Sequence, residues 1–143
     1  SQERRPTAGG LREIAPAADS HGCGINIRSA ADPKVLVRVL DDVGADIVRV
    51  EHDIAHSVLQ DRDPAADLLT LGHRVAQIRV RDIDTTGAQV PLGIGTVDYE
   101  PIVDALDEIE FDGYVVVDTP YGPDTVAAAA ANLAFVHELF LRL

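Results

Sequence analysis

Residues 71–84, LGHRVAQIRVRDID, and 90–101, VPLGIGTVDYEP, contain the clearest structural pattern in the chain. Val75–Val80 has the apolar and β-branched residues of a strand, and it follows a glycine that is able to end a helix. Residues 84–87, DTTG, have the composition of a turn. Asp98 is a good N-cap for a helix that follows. The block therefore predicts a strand, a loop and a helix, in that order.

The same alternation extends to both sides of this block. Strands are predicted at 24–28, 46–51, 75–80 and 114–117. Helices are predicted from Leu11 to about His21, after Asp32-Pro33, after Asp63-Pro64, after Asp98, and over Asp124–Leu143. Residues 1–10 are predicted to be a flexible lead, so that the domain covers 11–143. Strands that alternate with helices of this length indicate an α/β fold with parallel strands.

Four parallel β-α units make half of a (β/α)8 TIM barrel, and four strands cannot close a barrel alone. Both outer strands and an apolar interior would remain uncovered. The chain is therefore predicted not to be a monomer. A homodimer in which the strands at 24–28 and 114–117 pair with a second half is the first expectation, because twofold symmetry is the commonest closure. A complementary half-barrel subunit is the second, and an open, helix-covered sheet is the fallback.

Composition excludes several classes of partner. The 143 residues suit one domain, and the net charge of −12 repels nucleic acid. No apolar run approaches the roughly 18 residues of a membrane span, and residues 1–10 lack the apolar segment of a signal peptide, so a cytoplasmic location is expected. Cys23 is the only cysteine, which excludes an internal disulfide and a cysteine-rich zinc site.

The block at 71–101 resembles the strand-loop-helix segment of the xylose isomerase-like TIM-barrel family, with its pattern G-D-R-I-x-H-V-H-x-K-D and then P-L-G-E-G-x-V-D-F. Gln77 and Arg79 stand where that pattern has its two histidines, and Ile94 stands at its glutamate. The resemblance covers about residues 10–120 and implies the C-terminal half of the barrel. It also implies a sugar isomerase, epimerase or lyase.

In that family the last four strands supply the metal ligands Glu, Asp, His and Glu. The resemblance places these four positions at Arg28, Asp53, Arg79 and Asp118. Residues 52–56, HDIAH, are similar to the family's D-T-G-H, so that Asp53 and His56 both match. Arginine has no lone pair to offer a metal. The sequence therefore predicts no bound metal and no cofactor.

Two interpretations of these residues remain open. In the structural one, Arg28 pairs with Asp53 and Arg79 with Asp118, so that ion pairs fill the place of the metal. In the functional one, Arg28, Arg79, Arg81 and Asp118 bind a sugar-like or anionic small molecule. His56 and Asp53 are then the catalytic candidates, although a histidine in a loop is often only a supporting residue. Asp82 is expected to hold the loop after the third strand.

The first functional hypothesis is an isomerase- or epimerase-like half-barrel that acts on or binds a polyhydroxylated small molecule without the usual metal. The alternative is a non-catalytic subunit that completes another barrel. A DNA-repair nuclease of the same family is disfavoured, because the chain has neither several metal-binding histidines nor a basic surface.

Overall fold

The computed structural model describes residues 4–120 and 122–140, with side chains from residue 8 onward. The elements, in chain order, are α1 (Arg4–Ser20), β1 (Ile25–Ile27), α2 (Pro33–Val43), β2 (Val48–Asp53), α3 (Ile54–Leu59), α4 (Pro64–Leu71), β3 (Val75–Val80), β4 (Asp82–Ile83), β5 (Gln89–Val90), α5 (Glu100–Glu108), β6 (Tyr114–Val117) and α6 (Thr125–Phe140). A single 3-10 turn, Gly72–Arg74, leads into β3.

The main sheet has four strands in the order β1-β2-β3-β6, and every neighbouring pair is parallel. This confirms the predicted half-barrel of parallel β-α units in sequential order. The second strand begins at Val48 instead of Asp46 because Gly44 ends α2 in the left-handed region and a turn, in which Val48 N–H donates to Ala45 O, reverses the chain first. The strand also ends two residues later than predicted, at Asp53.

The Asp-Pro pairs begin helices as predicted. The side chain of Asp32 accepts a hydrogen bond from Lys34 N–H, and that of Asp63 accepts one from Ala65 N–H. The predicted start of the first helix at Leu11 is wrong, because α1 already begins at Arg4. Burial of Ala8 in the core stabilises this earlier turn despite the glycines at positions 9 and 10. Residues 1–3 of the predicted flexible lead lie outside the described residues.

The two faces of the sheet differ in chemistry. Alternate residues of a strand point to opposite faces, and the face toward the helices buries Val48, Val50, Ile78 and Val80. The opposite face, which would line a closed barrel, instead has Arg49, Glu51 and Asp53 from β2 and Gln77 and Arg79 from β3. The predicted apolar interior is therefore wrong for β2 and β3, whose uncovered face is polar and charged, whereas β6 adds Tyr114 and Val116 to that face.

Three short elements, α3, β4 and β5, were not predicted from the sequence. The short helix α3 follows β2 directly, and β4 and β5 form a small antiparallel pair after β3. Both lie where parallel strands deliver their carboxyl ends, so they shape the rim of the half-barrel. Among the helices of the described ranges, none combines the length and the apolar character needed to cross a membrane.

Candidate functional site

The carboxyl ends of the four parallel strands meet around one cavity of about 340 Å³. It is lined by Arg28, Ser29, Ala30, Asp53, His56, Arg81 and Asp118. All the predicted site residues except Arg79 thus contribute to one cavity, and Arg79 bonds to Asp118 from the neighbouring strand. A larger cavity, of about 530 Å³, lies between α5 and α6 and includes none of these residues.

Arg79 is the centre of an ion-pair cluster at these strand ends. Its Nε donates to Oε1 of Glu51 at 2.7 Å, and its Nη1 donates to Oδ2 of Asp118 at 3.1 Å. The predicted pairing of Arg79 with Asp118 is therefore confirmed. Burial opposes the charged guanidinium, but the hydrogen bonds to Glu51 and Asp118 outweigh it and raise the pKa of Arg79 above its ordinary value. Arg79 therefore remains protonated, and the two carboxylates hold its guanidinium group in position.

The predicted pairing of Arg28 with Asp53 is wrong. Nη1 of Arg28 lies 3.6 Å from Oε1 of Glu51, while Asp53 accepts a hydrogen bond from Nε of Arg81 at 2.9 Å. The register explains the exchange, because Ile27 lies opposite Val50 and the next residue of each strand is Arg28 or Glu51. The sequence interpretation missed Glu51. The sequence pattern that could have identified Glu51 is the alternation of the charged residues Arg49, Glu51 and Asp53 along β2.

Asp53 and His56 lie together at the junction of β2 and α3. Asp53 is the N-cap of α3, since its Oδ1 accepts a hydrogen bond from His56 N–H at 3.1 Å. His56 lines the 340 Å³ cavity at the strand ends and also a separate void of about 10 Å³. Its Nε2 is buried and has no hydrogen-bond partner within the described part of the chain. A buried imidazole nitrogen without a partner is unusual, and Nε2 of His56 is the one such side-chain atom among the described residues.

His52 belongs to a separate, buried network on the helix side of the sheet. Its Nε2 lies 3.2 Å from Oγ of Ser57, and Ser57 donates to Oδ2 of Asp67 at 2.7 Å. Nε of Arg62 donates to the same oxygen at 2.9 Å. Burial lowers the pKa of His52 to about 4, so the ring is neutral at pH 7. This network joins α3 and α4 to β2, and it supports the structural role expected for His52.

Asp82 holds the loop that carries the family's glycines, as predicted. Its Oδ2 accepts hydrogen bonds from Gly93 N–H and Gly95 N–H, both at 3.0 Å, and its Oδ1 accepts one from Val97 N–H at 3.2 Å. A Cβ atom on Gly95 would overlap the Asp82 carboxylate. The glycine is therefore required by the close approach of backbone and carboxylate, which fixes one wall of the rim.

The residues at the strand ends do not suit the divalent cation that this kind of barrel holds elsewhere. The carboxylates of Glu51, Asp53 and Asp118 each accept a hydrogen bond from an arginine side chain. Arginine supplies donors only, whereas a divalent cation needs several oxygen or imidazole ligands. No group of three His, Cys, Asp or Glu side chains in the described residues is arranged to hold a metal ion.

Known structures share this fold at low sequence identity. The xylose isomerase domain protein of Planctomyces limnophilus has a TM-score of 0.82 and 19% identity, with 97% of this chain and 54% of that chain covered. A D-psicose 3-epimerase crystallised in the presence of D-fructose gives 0.78 and 20%, with 93% and 55% covered. A probable 3-DHS dehydratase of Bacillus anthracis gives 0.78 and 16%, with 94% and 57% covered.

The chain thus spans about half the length of these structures, as a half-barrel does. No curated protein is significantly similar to it in sequence. The family model described as "Xylose isomerase-like TIM barrel" matches residues 2–139, which is nearly the whole chain. Together with four sequential parallel strands whose carboxyl ends share one cavity, this match shows that the chain belongs to the xylose isomerase-like TIM-barrel family.

Proposed function

We propose that the cavity at the strand ends binds a polyhydroxylated small molecule, and that His56 and Asp53 serve an isomerase, epimerase or lyase reaction that uses no metal. The observation that supports this proposal is the buried, unpartnered Nε2 of His56, a residue that lines the same cavity as Asp53 and Asp118. Convergent polar groups around a concave cavity are the usual form of a small-molecule site. The structural relatives include enzymes named as epimerases and a dehydratase, which belong to these reaction classes.

The chemistry assigned to His56 is proton transfer at a carbon next to a carbonyl group. In the proposed reaction the ring of His56 turns so that its buried Nε2 faces the cavity, the proton moves from carbon to Nε2, and the electron pair of the C–H bond shifts onto the carbonyl oxygen. Return of the proton by the same base to the former carbonyl carbon, while the neighbouring hydroxyl group passes its proton to the former carbonyl oxygen, completes an isomerisation. The positively charged guanidinium groups at the cavity stabilise the negative charge that develops on the carbonyl oxygen. Asp53 accepts hydrogen bonds from Arg81 and His56 with Oδ1. The remaining lone pairs of its carboxylate can accept a hydrogen bond from a substrate hydroxyl group.

The alternative function is a non-catalytic half that completes a barrel. The observation that favours it is the pairing of every carboxylate in the cluster: Glu51 and Asp118 with Arg79, and Asp53 with Arg81. Carboxylates held by arginine in this way are explained by a structural role alone.

We further propose that a second half-barrel covers the charged face of the sheet. β1 and β6 are the outer strands, and each pairs with one neighbour among the described residues. On the outside, Val126 and Leu133 of α6 are 81% and 59% exposed. A second copy of this chain is the first candidate and a complementary half-barrel subunit the second. Either one would supply the missing wall of the cavity.

Deuterium exchange tests the catalytic proposal without knowledge of the product. The protein in its native assembly is incubated in D2O with D-fructose or D-psicose, and proton NMR follows the signals of the C–H groups next to the carbonyl. We expect these signals to decay as deuterium enters. His56→Gln should abolish the decay, and His137→Gln, at an exposed position of α6, should leave it unchanged.

Two outcomes decide between the functions. Decay that persists in His56→Gln would show that this histidine is not the base. Saturation-transfer signals from either sugar, without any deuterium entering, would favour the non-catalytic half-barrel.

A further inference from the structure

The three arginines at the strand ends differ in how far their hydrogen-bond donors are used. Arg79 donates to Glu51 and Asp118, Arg81 donates to Asp53, and both side chains are 20% exposed. Arg28 is 55% exposed, and its one ionic contact in the described chain is Glu51 at 3.6 Å. That distance is too long for a hydrogen bond. The same Glu51 oxygen is already bonded to Arg79 at 2.7 Å. Arg28 is therefore the arginine whose donors remain available.

Arg28 also has the right position to meet a ligand. It directly follows β1 and lines the 340 Å³ cavity together with Asp53, His56 and Asp118. A guanidinium offers five N–H donors in a planar fork that matches the two oxygens of a carboxylate or phosphate group. The chain as a whole has a net charge of −12, so an anion reaches this cavity only if a local positive group attracts it. Arg28 supplies that group.

We infer that Arg28 is the anchor for an anionic oxygen group, a carboxylate or a phosphate, on the molecule that this cavity binds. The inference rests on the proposed function and adds a preference of the cavity for acidic or phosphorylated forms of its polyhydroxylated ligand.

Binding of four probes tests the anchor by calorimetry at low ionic strength, where ionic contacts are least screened. The probes are D-fructose, D-fructose 6-phosphate, D-gluconate and inorganic phosphate. We expect at least one charged sugar to bind about tenfold or more tightly than D-fructose, and the two charged sugars separate a phosphate from a carboxylate preference. Arg28→Gln should remove this preference, and Arg28→Lys should restore part of it. Arg38→Gln removes the same charge from an exposed position of α2 and should change nothing.

The outcomes separate this inference from the proposed function. If D-fructose binds as tightly as both charged sugars, or if Arg28→Gln keeps the preference, the anchor is wrong while the sugar site stands. If inorganic phosphate alone binds, and binds through Arg28, the anchor stands and the sugar site is wrong. If no probe binds to the native assembly, both are overturned.

Discussion

Arg79 on β3 connects, through its side chain, the two strands that flank β3. It reaches Glu51 on β2 and Asp118 after β6 at the same time, and Glu51 is only 14% exposed. Carboxylates that are largely removed from water need a cation close by, because an unpaired buried charge is costly. The pairing therefore stabilises the charged face of the sheet only as long as the guanidinium remains.

Replacement of Arg79 by methionine, which keeps an apolar stem, should lower the free energy of unfolding by about 1–3 kcal/mol, because Glu51 and Asp118 lose their hydrogen-bond donor. Urea unfolding measures the change. Arg74→Met is the matched control, because Arg74 pairs with Asp41, which is 56% exposed, and such pairs contribute less than about 1 kcal/mol. Equal losses in the two variants would contradict the account of the cluster.

Much of the site was predictable residue by residue, and the exception has a definite cause. Arg28, Asp53, His56, Arg81 and Asp118 were predicted and do share the cavity. Their partners were predicted less well, because pairing depends on register. The resemblance pointed to Asp53 as the partner of Arg28, although Glu51 already lay within the predicted strand at 46–51. The sequence thus predicts which residues lie at the site, whereas their hydrogen-bond partners also depend on the strand register.

At the scale of elements, the junction of β2 with α3 and α4 depends on the neutral form of His52. The unfolded chain takes up a proton at this histidine near pH 6.5, whereas the folded chain does so only near 4. Between these values the unfolded state binds more protons, so stability is lost as the pH falls from 6.5 to 4. Above pH 6.5 the histidine is neutral in both states and adds no pH dependence.

His52→Gln should therefore flatten the pH dependence of stability in this window. Urea unfolding of the unchanged protein and the variant at pH 4 to 7 should show a difference that shrinks toward low pH by up to about 3 kcal/mol, because the variant has no proton to take up. His21→Gln, at an exposed histidine, should keep the original slope. A slope that is the same in all three proteins would show that His52 does not titrate as described.

The loop pinned by Asp82 gives a second prediction at this scale. Gly95→Ala should lower the unfolding free energy by about 1–3 kcal/mol, because the new methyl group displaces the Asp82 carboxylate from its backbone donors. Gly9→Ala places a methyl group in open space within α1 and should raise stability by about 0.5–1 kcal/mol. Thermal melting of the pair checks the signs, and a neutral Gly95→Ala would contradict the tight approach.

The elements themselves were largely predictable, since their signals are local. Asp32 and Asp63 each stand before a proline and begin a helix in the structure. The start of α1 and the existence of α3 were not predictable in this way. Glycines 9 and 10 disfavour a helix locally, and α3 depends on a cap by Asp53 whose position follows from the end of β2. Tertiary context decides both.

The whole molecule presents a charged concave face between two outer strands. Light scattering at micromolar concentration should report a mass at least twice the 15.3 kDa of one chain, because the outer backbone groups of β1 and β6 have no strand partner among the described residues. The exposed apolar residues of α6 add a surface for the same contact. A stable, folded particle with the mass of one chain would contradict this assembly.

The central claim is that arginine–carboxylate pairs occupy the strand ends where this family elsewhere holds a divalent cation. The most direct test is the metal content of the native assembly, measured by plasma mass spectrometry after dialysis against Mn²⁺ and Mg²⁺ and removal of free ions. We predict far less than one metal ion per chain, with no change in Asp53→Asn, because Asp53 and Asp118 are bonded to Arg81 and Arg79. About one ion per chain, lost in both Asp53→Asn and Asp118→Asn, would contradict the claim.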